Sequence, residues 1–392
     1  MSARAFRAPL ALLLALVLSS GGSTARAQQD DAASGDWTLE RFAARFALFH
    51  QAGLGLQSQA GPERHGRGTE EAWIFNPILY GRLRNDRIVT HDIYLPVDIV
   101  SAASVDALDA VSSASRENEA FDLEVFSTIE DGPDRRFTVH WGGHIEEPLR
   151  AVYFGLGTQI DLADDNAVLS ISADGIVDIF DPVQFTGYDP GLDERTTLSI
   201  NASLSQLLSP TTVVMLAYGL TGQVGTLETT WNSVPSEGAD RIGDYFPERR
   251  LRHAVSLRLT QAIPDSRTFA ATSYRFYADD FGILAHTADL TLTQYLGDEL
   301  WLRAGYRFHT QTAAYFWTPL FQTTRRREEY RTADSDLAAF DAHELTGAVR
   351  WFYDRRGALT TSASWIELSY AHYLRTNDYS ANVVSIGWGH QL

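Results

Sequence analysis

From residue 46 to the C-terminus, apolar and polar side chains alternate strictly in one segment after another, and no apolar run is long enough for a spanning helix. Between Val89 and Ser101, Val89, Ile93, Leu95, Val97 and Ile99 share one face; Thr90, Asp92, Tyr94 and Asp98 share the other. Leu198, Ile200, Ala202, Leu204 and Leu208 alternate with Thr197, Ser199, Asn201, Ser203 and Ser205, and Leu290, Leu292 and Leu296 with Asp289, Thr291 and Thr293. Successive side chains of a strand point to opposite faces, so each segment carries one oily and one polar surface. Segments fall near 46–57, 71–83, 87–100, 120–131, 135–147, 149–161, 166–179 and 194–208, then 211–223, 249–263, 267–280, 284–297, 299–311, 341–354, 359–374 and 378–392. The spacing predicts an all-β chain of about sixteen strands (roughly 14–18), each long enough to cross a bilayer when tilted.

A soluble sandwich alternates too; the connections separate the two folds. After every even segment comes a tight turn: Arg84-Asn85-Asp86, Asp131-Gly132-Pro133-Asp134, Ala163-Asp164-Asp165, Ser209-Pro210, Pro264-Asp265-Ser266, Gly297-Asp298 and Arg355-Arg356-Gly357. These residue types tolerate turn dihedrals. After odd segments several connections are long, near 58–70, 101–119, 224–248 and 312–340. Short turns on one side and longer loops on the other are the habit of a closed antiparallel transmembrane β-barrel, with periplasmic turns and outer loops. Closure is obligatory, because in hydrocarbon every backbone polar group needs a partner within the protein. The last segment sets Val384, Ile386, Trp388 and Leu392 against Ser385, Gly387, Gly389 and Gln391, the kind of amphipathic end strand that barrel-assembly machinery reads.

The N-terminus reads as an export signal: Arg4 and Arg7, an apolar stretch from Leu10 to Leu18, and Ala25-Arg26-Ala27 as the cleavage site. Residues 1–27 are therefore expected to be a signal peptide, 28–45 a periplasmic segment and 46–392 the barrel, in the outer membrane of a Gram-negative-type cell. No cysteine occurs, so nothing in the fold rests on disulfides. The 32 basic residues are all arginine and face 50 acidic ones, a net charge of −18. Removing three signal arginines takes this to −21, which argues against nucleic acid or anionic lipid as the main partner. The expected partners are outer-membrane lipid, lipopolysaccharide and the assembly machinery.

Four stretches, Ser104–Glu117 (SVDALDAVSSASRE), Trp231–Arg252 (WNSVPSEGADRIGDYFPERRLR), Tyr274–Thr287 (YRFYADDFGILAHT) and Tyr306–Pro319 (YRFHTQTAAYFWTP), resemble an uncharacterised bacterial outer-membrane barrel family known only as domain of unknown function 3570. The resemblance extends over nearly the whole mature chain. It implies an exported β-rich protein without an agreed activity, and a periplasmic setting with redox partners.

Candidate chemistry concentrates on polar faces. Arg303, Arg307, His309 and Gln311 form a basic ladder on one strand face, with Asp92, Asp98, Asp122 and Glu124 as acidic counterparts on other strands. Opposed ladders across a lumen set a field that selects solutes; the plainer reading is that they brace the wall. His140, His144 and Glu146 share a face, but on a strand the two imidazoles sit about 13 Å apart at roughly 3.3 Å per residue, too far for one ion. Asp279 and Asp280 before Phe281-Gly282 are candidates for a divalent cation at an outer loop, or simply turn formers. The run Arg325-Arg326-Arg327-Glu328-Glu329 reads as a solvated, self-paired loop surface, with a receptor or lipopolysaccharide contact as the sharper alternative. The aromatics Tyr274, Phe276, Trp301, Tyr306, Phe308, Trp351 and Tyr353 are expected in interface belts. No cofactor and no catalytic motif is expected. The sequence favours a porin-like channel or transporter for small solutes. Its alternatives are a plugged barrel serving a periplasmic, redox-linked machine, and an outer-membrane hydrolase.

Overall fold

The structure is a computed structural model describing residues 37–53, 72–85, 89–102, 118–146, 149–181, 188, 190–228, 233–237, 239–322, 329–353 and 364–391. The expected export signal, the Ser104–Glu117 motif and Arg325–Glu328 lie outside the described residues.

Sixteen strands close into an antiparallel barrel. They are β1 (Trp37–Gly53), β2 (Ala72–Asn85), β3 (Val89–Ala102), β4 (Asn118–Glu130), β5 (Arg135–Ile145), β6 (Leu149–Leu162), β7 (Ala167–Phe180), β8 (Asp193–Ser209) and β9 (Thr212–Gly225), then β12 (Arg249–Ile263), β13 (Thr268–Asp279), β14 (Leu284–Leu296), β15 (Leu300–Gln311), β16 (Phe340–Phe352), β17 (Trp365–Arg375) and β18 (Tyr379–Gln391). A separate hairpin, β10 (Ser233–Ser236) and β11 (Ala239–Gly243), stands in the connection between β9 and β12. Each barrel strand pairs with the next barrel strand along the chain, β9 with β12 across the hairpin, and β1 closes on β18 from Arg41↔Gln391 to Gly53↔Tyr379. No sheet edge is left open, as a bilayer requires.

Side-chain exposure identifies the two faces. Val152, Leu345, Leu368 and Ile386 are all more than half exposed, and similar residues recur at alternate positions around the ring. Such a continuous apolar exterior marks contact with lipid, not water. Conversely, the barrel wall buries mostly alanines, and among the described residues no layer of large side chains is sandwiched between sheets. The chain is a transmembrane β-barrel of outer-membrane type.

Two expected boundaries move. β1 starts at Trp37, so Trp37–Arg45, expected in a periplasmic segment, are wall residues. The cause is a register shift between Leu39 and Arg41, which breaks the alternation that reveals a strand. β17 is described from Trp365, and the tight turn expected at Arg355-Arg356-Gly357 lies outside the described residues. The 224–248 loop is partly folded as β10–β11. The remaining periplasmic turns are short, with Gly132 at φ 81° and Gly297 at φ 68°, where a side chain would be strained.

Above the outer ends of β9 to β16 the connections build a cap with its own core: Phe246, Phe281, Ile283, Ala314, Phe316 and Leu337 are buried together. Tyr245 and Arg331 exchange backbone hydrogen bonds (3.0 and 2.8 Å), and Ser236 bridges to Phe321, tying the β9–β12 connection to the β15–β16 connection.

Candidate functional site

The lumen wall is the polar face of every strand, and register fixes what meets there. On β2 to β7 carboxylates dominate. Asp92 accepts hydrogen bonds from Arg82 Nε (2.7 Å) and Tyr80 Oη (2.5 Å). Asp122 accepts from Tyr153 Oη (2.6 Å) and pairs with His144 Nδ1 (2.8 Å), while His144 Nε2 reaches Glu146 (3.3 Å). His140 lies 3.5 Å from Asp174 and 3.9 Å from Glu124, stacked on Phe126 with ring centroids 4.2 Å apart. Room for Asp174 depends on Gly155, where a Cβ would sit 2.0 Å from its Oδ1.

Eight strands around the ring from β5 lies β15, so the opposite wall is arginine-bearing. Arg307 Nε donates to Asp289 (2.5 Å) with Glu344 3.7 Å away, and Arg350 pairs with Glu367 (2.5 Å). Arg258 and Arg275 point inward, exposed, with no carboxylate partner among the described residues. Arg303 is exposed and rests over the Trp301 ring at 4.4 Å. Between these walls lies a lumen cavity of ≈ 660 Å³ lined by small and hydroxyl residues such as Ser172, Ser203, Gly219 and Ser256, with His140 and Asp174 at one side and Arg275 at the other.

The predicted site residues thus divide. Arg303, Arg307, His309 and Gln311 share the lumen face of β15, His309 bonding Thr287 (2.9 Å) and Gln311 donating to the carbonyls of Asp336 and Ala338 (both 2.8 Å). Asp92, Asp122 and Glu124 face the lumen on β3 and β4 but pair within their own wall; of Asp98 the structure describes the backbone, opposite Ala120. Arg307 instead finds Asp289 and Glu344 on adjacent strands, residues that alternation alone does not single out, because only register makes them neighbours. Arg258 and Arg275 were not among the expected site residues; a charge inside an alternating strand is the signal that marks them. Among the described residues no group of three or more acidic, His or Cys side chains is placed to hold a metal ion. The Asp279 carboxylate is wholly committed to Arg250 (2.6 Å), Tyr277 Oη (2.7 Å) and the Ile283 N–H (2.9 Å), while Asp280 is exposed at the turn. Trp301 departs from the expected belt: it is 2% exposed on the lumen face, packed with Phe352, Tyr295 and Trp365 near the periplasmic end. Its parity with Arg303 dictates this.

At the outer mouth the cap buries acids. Asp244 accepts a hydrogen bond from Thr332 Oγ1 (3.2 Å), while Asp334 accepts from the Asp336 N–H (2.9 Å). Burial, with the Asp334 charge adding, pushes the Asp244 carboxyl up to about 7, and burial raises Asp334 and Glu228 as well.

No curated protein matches this chain. Solved structures similar in fold include OpdK of Pseudomonas aeruginosa with vanillate (8% identity, TM-score 0.43, covering 90% of this chain and 99% of that one). A BenF-like porin from Pseudomonas fluorescens (10%, 0.43, 90% and 99%) and the siderophore receptor PirA from Pseudomonas aeruginosa (11%, 0.44, 89% and 61%) are others. These likenesses concern barrel architecture. The sequence matches the family described as "Protein of unknown function (DUF3570)" over residues 145–363, a narrower span than the four motifs suggested, since Ser104–Glu117 falls outside it. That match spans more than half of the chain, and the protein belongs to this family.

Proposed function

We propose that the barrel conducts small polar solutes across the outer membrane and that the two lumen walls bias passage toward anions. The reading is carried by Arg258, Arg275 and Arg303, which reach into the lumen without a carboxylate partner and keep their solvent exposure. The facing carboxylates Asp92, Asp122 and Asp178 are each held by an arginine, a histidine or a tyrosine, and Glu124 and Asp174 flank His140, whereas the three arginines have no carboxylate beside them among the described residues. A sixteen-strand ring is of a size that leaves an aqueous channel. Solute charge is then read by a field across the lumen, and the hydroxyl-lined cavity supplies replacement hydrogen bonds for a partly dehydrated solute.

The test is conductance of the folded full chain in planar bilayers. Discrete openings are expected, with a reversal potential in a salt gradient that indicates anion preference. Replacing the three arginines together (R258Q, R275Q, R303Q) should shift that potential toward cations while leaving openings intact. Folded protein that never conducts would exclude a channel and favour a closed barrel with a periplasmic partner.

A further inference from the structure

Among the described residues seven histidines point outward, toward lipid, and most of them stand against an aromatic ring. Near the outer ends of consecutive hairpins the arrangement repeats. Tyr218 Oη on β9 meets His253 Nδ1 on β12 at 2.8 Å. Tyr274 on β13 meets His286 on β14 at 2.6 Å, and Tyr306 on β15 meets His343 on β16 at 2.8 Å. On β17 and β18, Tyr370 Oη and His372 Nδ1 both converge on Asn382 Oδ1, each at 2.8 Å. Each of these histidines lies within five residues of a strand end that leads to an outer loop. Phe276 and Phe308 flank His286 and His343, with ring centroids 5.3 Å away in both cases. The pairs recur every second strand, a pitch of about 10 Å at roughly 4.8 Å per strand.

Where the tyrosine hydroxyl donates to Nδ1, the neutral ring carries its proton on Nε2, and donation from Nε2 of the neutral ring requires that arrangement. For His253, His286 and His343 the described residues offer Nε2 no partner. In that tautomer a row of oriented N–H donors is held on the lipid-facing side, near the strand ends that lead to the outer loops. An N–H donor in that position costs free energy unless it meets an acceptor. The chain contains no lysine, and the outward faces of β13 to β16 carry no arginine, so on these strands the histidine N–H groups stand where basic donors would; on β12 Arg249 shares the outward face with His253. We infer that the His253, His286 and His343 row binds the phosphates of a lipid in the outer leaflet, a phosphorylated glycolipid, with the tyrosines orienting the imidazoles and Phe276 and Phe308 packing beside the acyl–headgroup boundary. This site is independent of the lumen.

The full chain in an uncharged detergent is titrated with bis-phosphorylated lipid A, with the same lipid after phosphate removal, and with inorganic phosphate, binding being read by tryptophan fluorescence. The bis-phosphorylated lipid should bind at least about tenfold more tightly than the dephosphorylated one, since one hydrogen bond to a charged acceptor is worth that much. Inorganic phosphate should not bind. The triple variant H253F/H286F/H343F should lose the preference, and H253Q/H286Q/H343Q, which restores a donor, should regain most of it. The single variants H286F and H343F should each lose part of it, which keeps the test open if the triple variant does not fold. Equal binding of the two lipids, a preference that survives in the phenylalanine variant, or equal binding of inorganic phosphate would overturn the inference.

Discussion

Replacing Asp279 with alanine should destabilise the outer rim more than any other single change to a charged residue there. The Asp279 side chain is 0% exposed and that of Arg250 16% exposed, with 2.6 Å between them. Asp279 Oδ2 also accepts from Tyr277, Oδ1 accepts from the Ile283 N–H, and the Arg250 guanidinium lies 4.4 Å from the centre of Phe281, a member of the cap core. Removing the carboxylate leaves Arg250 charged, nearly dry and unpaired, and breaking such a pair costs about 3–5 kcal/mol. Removing both charges avoids the orphan, so D279A/R250M should lose less than the sum of the single variants, by about 1–3 kcal/mol. Urea unfolding of the protein in vesicles, with hydrogen exchange of the cap amides, measures both quantities. D279A within about 1 kcal/mol of wild type, or strict additivity in the double variant, would refute the clamp. Calcium should leave the wild-type curve unchanged, because the carboxylate oxygens are already occupied.

Other expectations are as direct. With its carboxyl at about 7 in the folded cap against an ordinary 3.8, Asp244 contributes stability that is full below pH 3.8 and lost as pH rises through 7. Cap amides, corrected for intrinsic rates, should therefore be better protected at pH 5 than at pH 8, and D244N should flatten the difference; protection that grows with pH would contradict the assignment. At Gly142 a Cβ would lie 2.2 Å from the Leu123 carbonyl oxygen, whereas at Gly347 nothing lies within 4 Å. Gly142→Ala should cost about 1–3 kcal/mol of unfolding free energy, and Gly347→Ala well under that.

Much of this architecture was legible in the chain because a barrel repeats one simple rule. Wherever a strand keeps strict alternation, as from Leu284 to Leu296 or Leu300 to Gln311, both its existence and its lumen face follow from parity. The rule fails where the backbone departs from it. The irregularity between Leu39 and Arg41 hid the first turns of β1, and the β10–β11 hairpin belongs to a cap whose core is assembled from connections distant in sequence. Partnerships were the least legible feature. The basic ladder on β15 could be read, but its bonding to Asp289 and Glu344 depends on register, which hydrophobic patterning does not specify across a pair of strands. The histidines facing lipid were similarly obscured: each sits alone in its strand, and only the hydrogen-bonded neighbour shows that they form a repeat.

Closure of the ring by the first and last strands is the claim on which the channel, the cap and the lipid belt all depend. The chain has no cysteine, so a pair introduced at Ala47 and Ser385, Cα partners across β1 and β18, reports on it without background. Paired strand residues lie about 4.5–5.5 Å apart at Cα, within disulfide reach. Oxidation of A47C/S385C in membranes should yield an intramolecular crosslink in nearly every folded molecule, while A47C/S203C, placed on well-separated strands, should yield none. Reduced thiols throughout in the first variant, or crosslinks only between chains, would contradict a closed barrel.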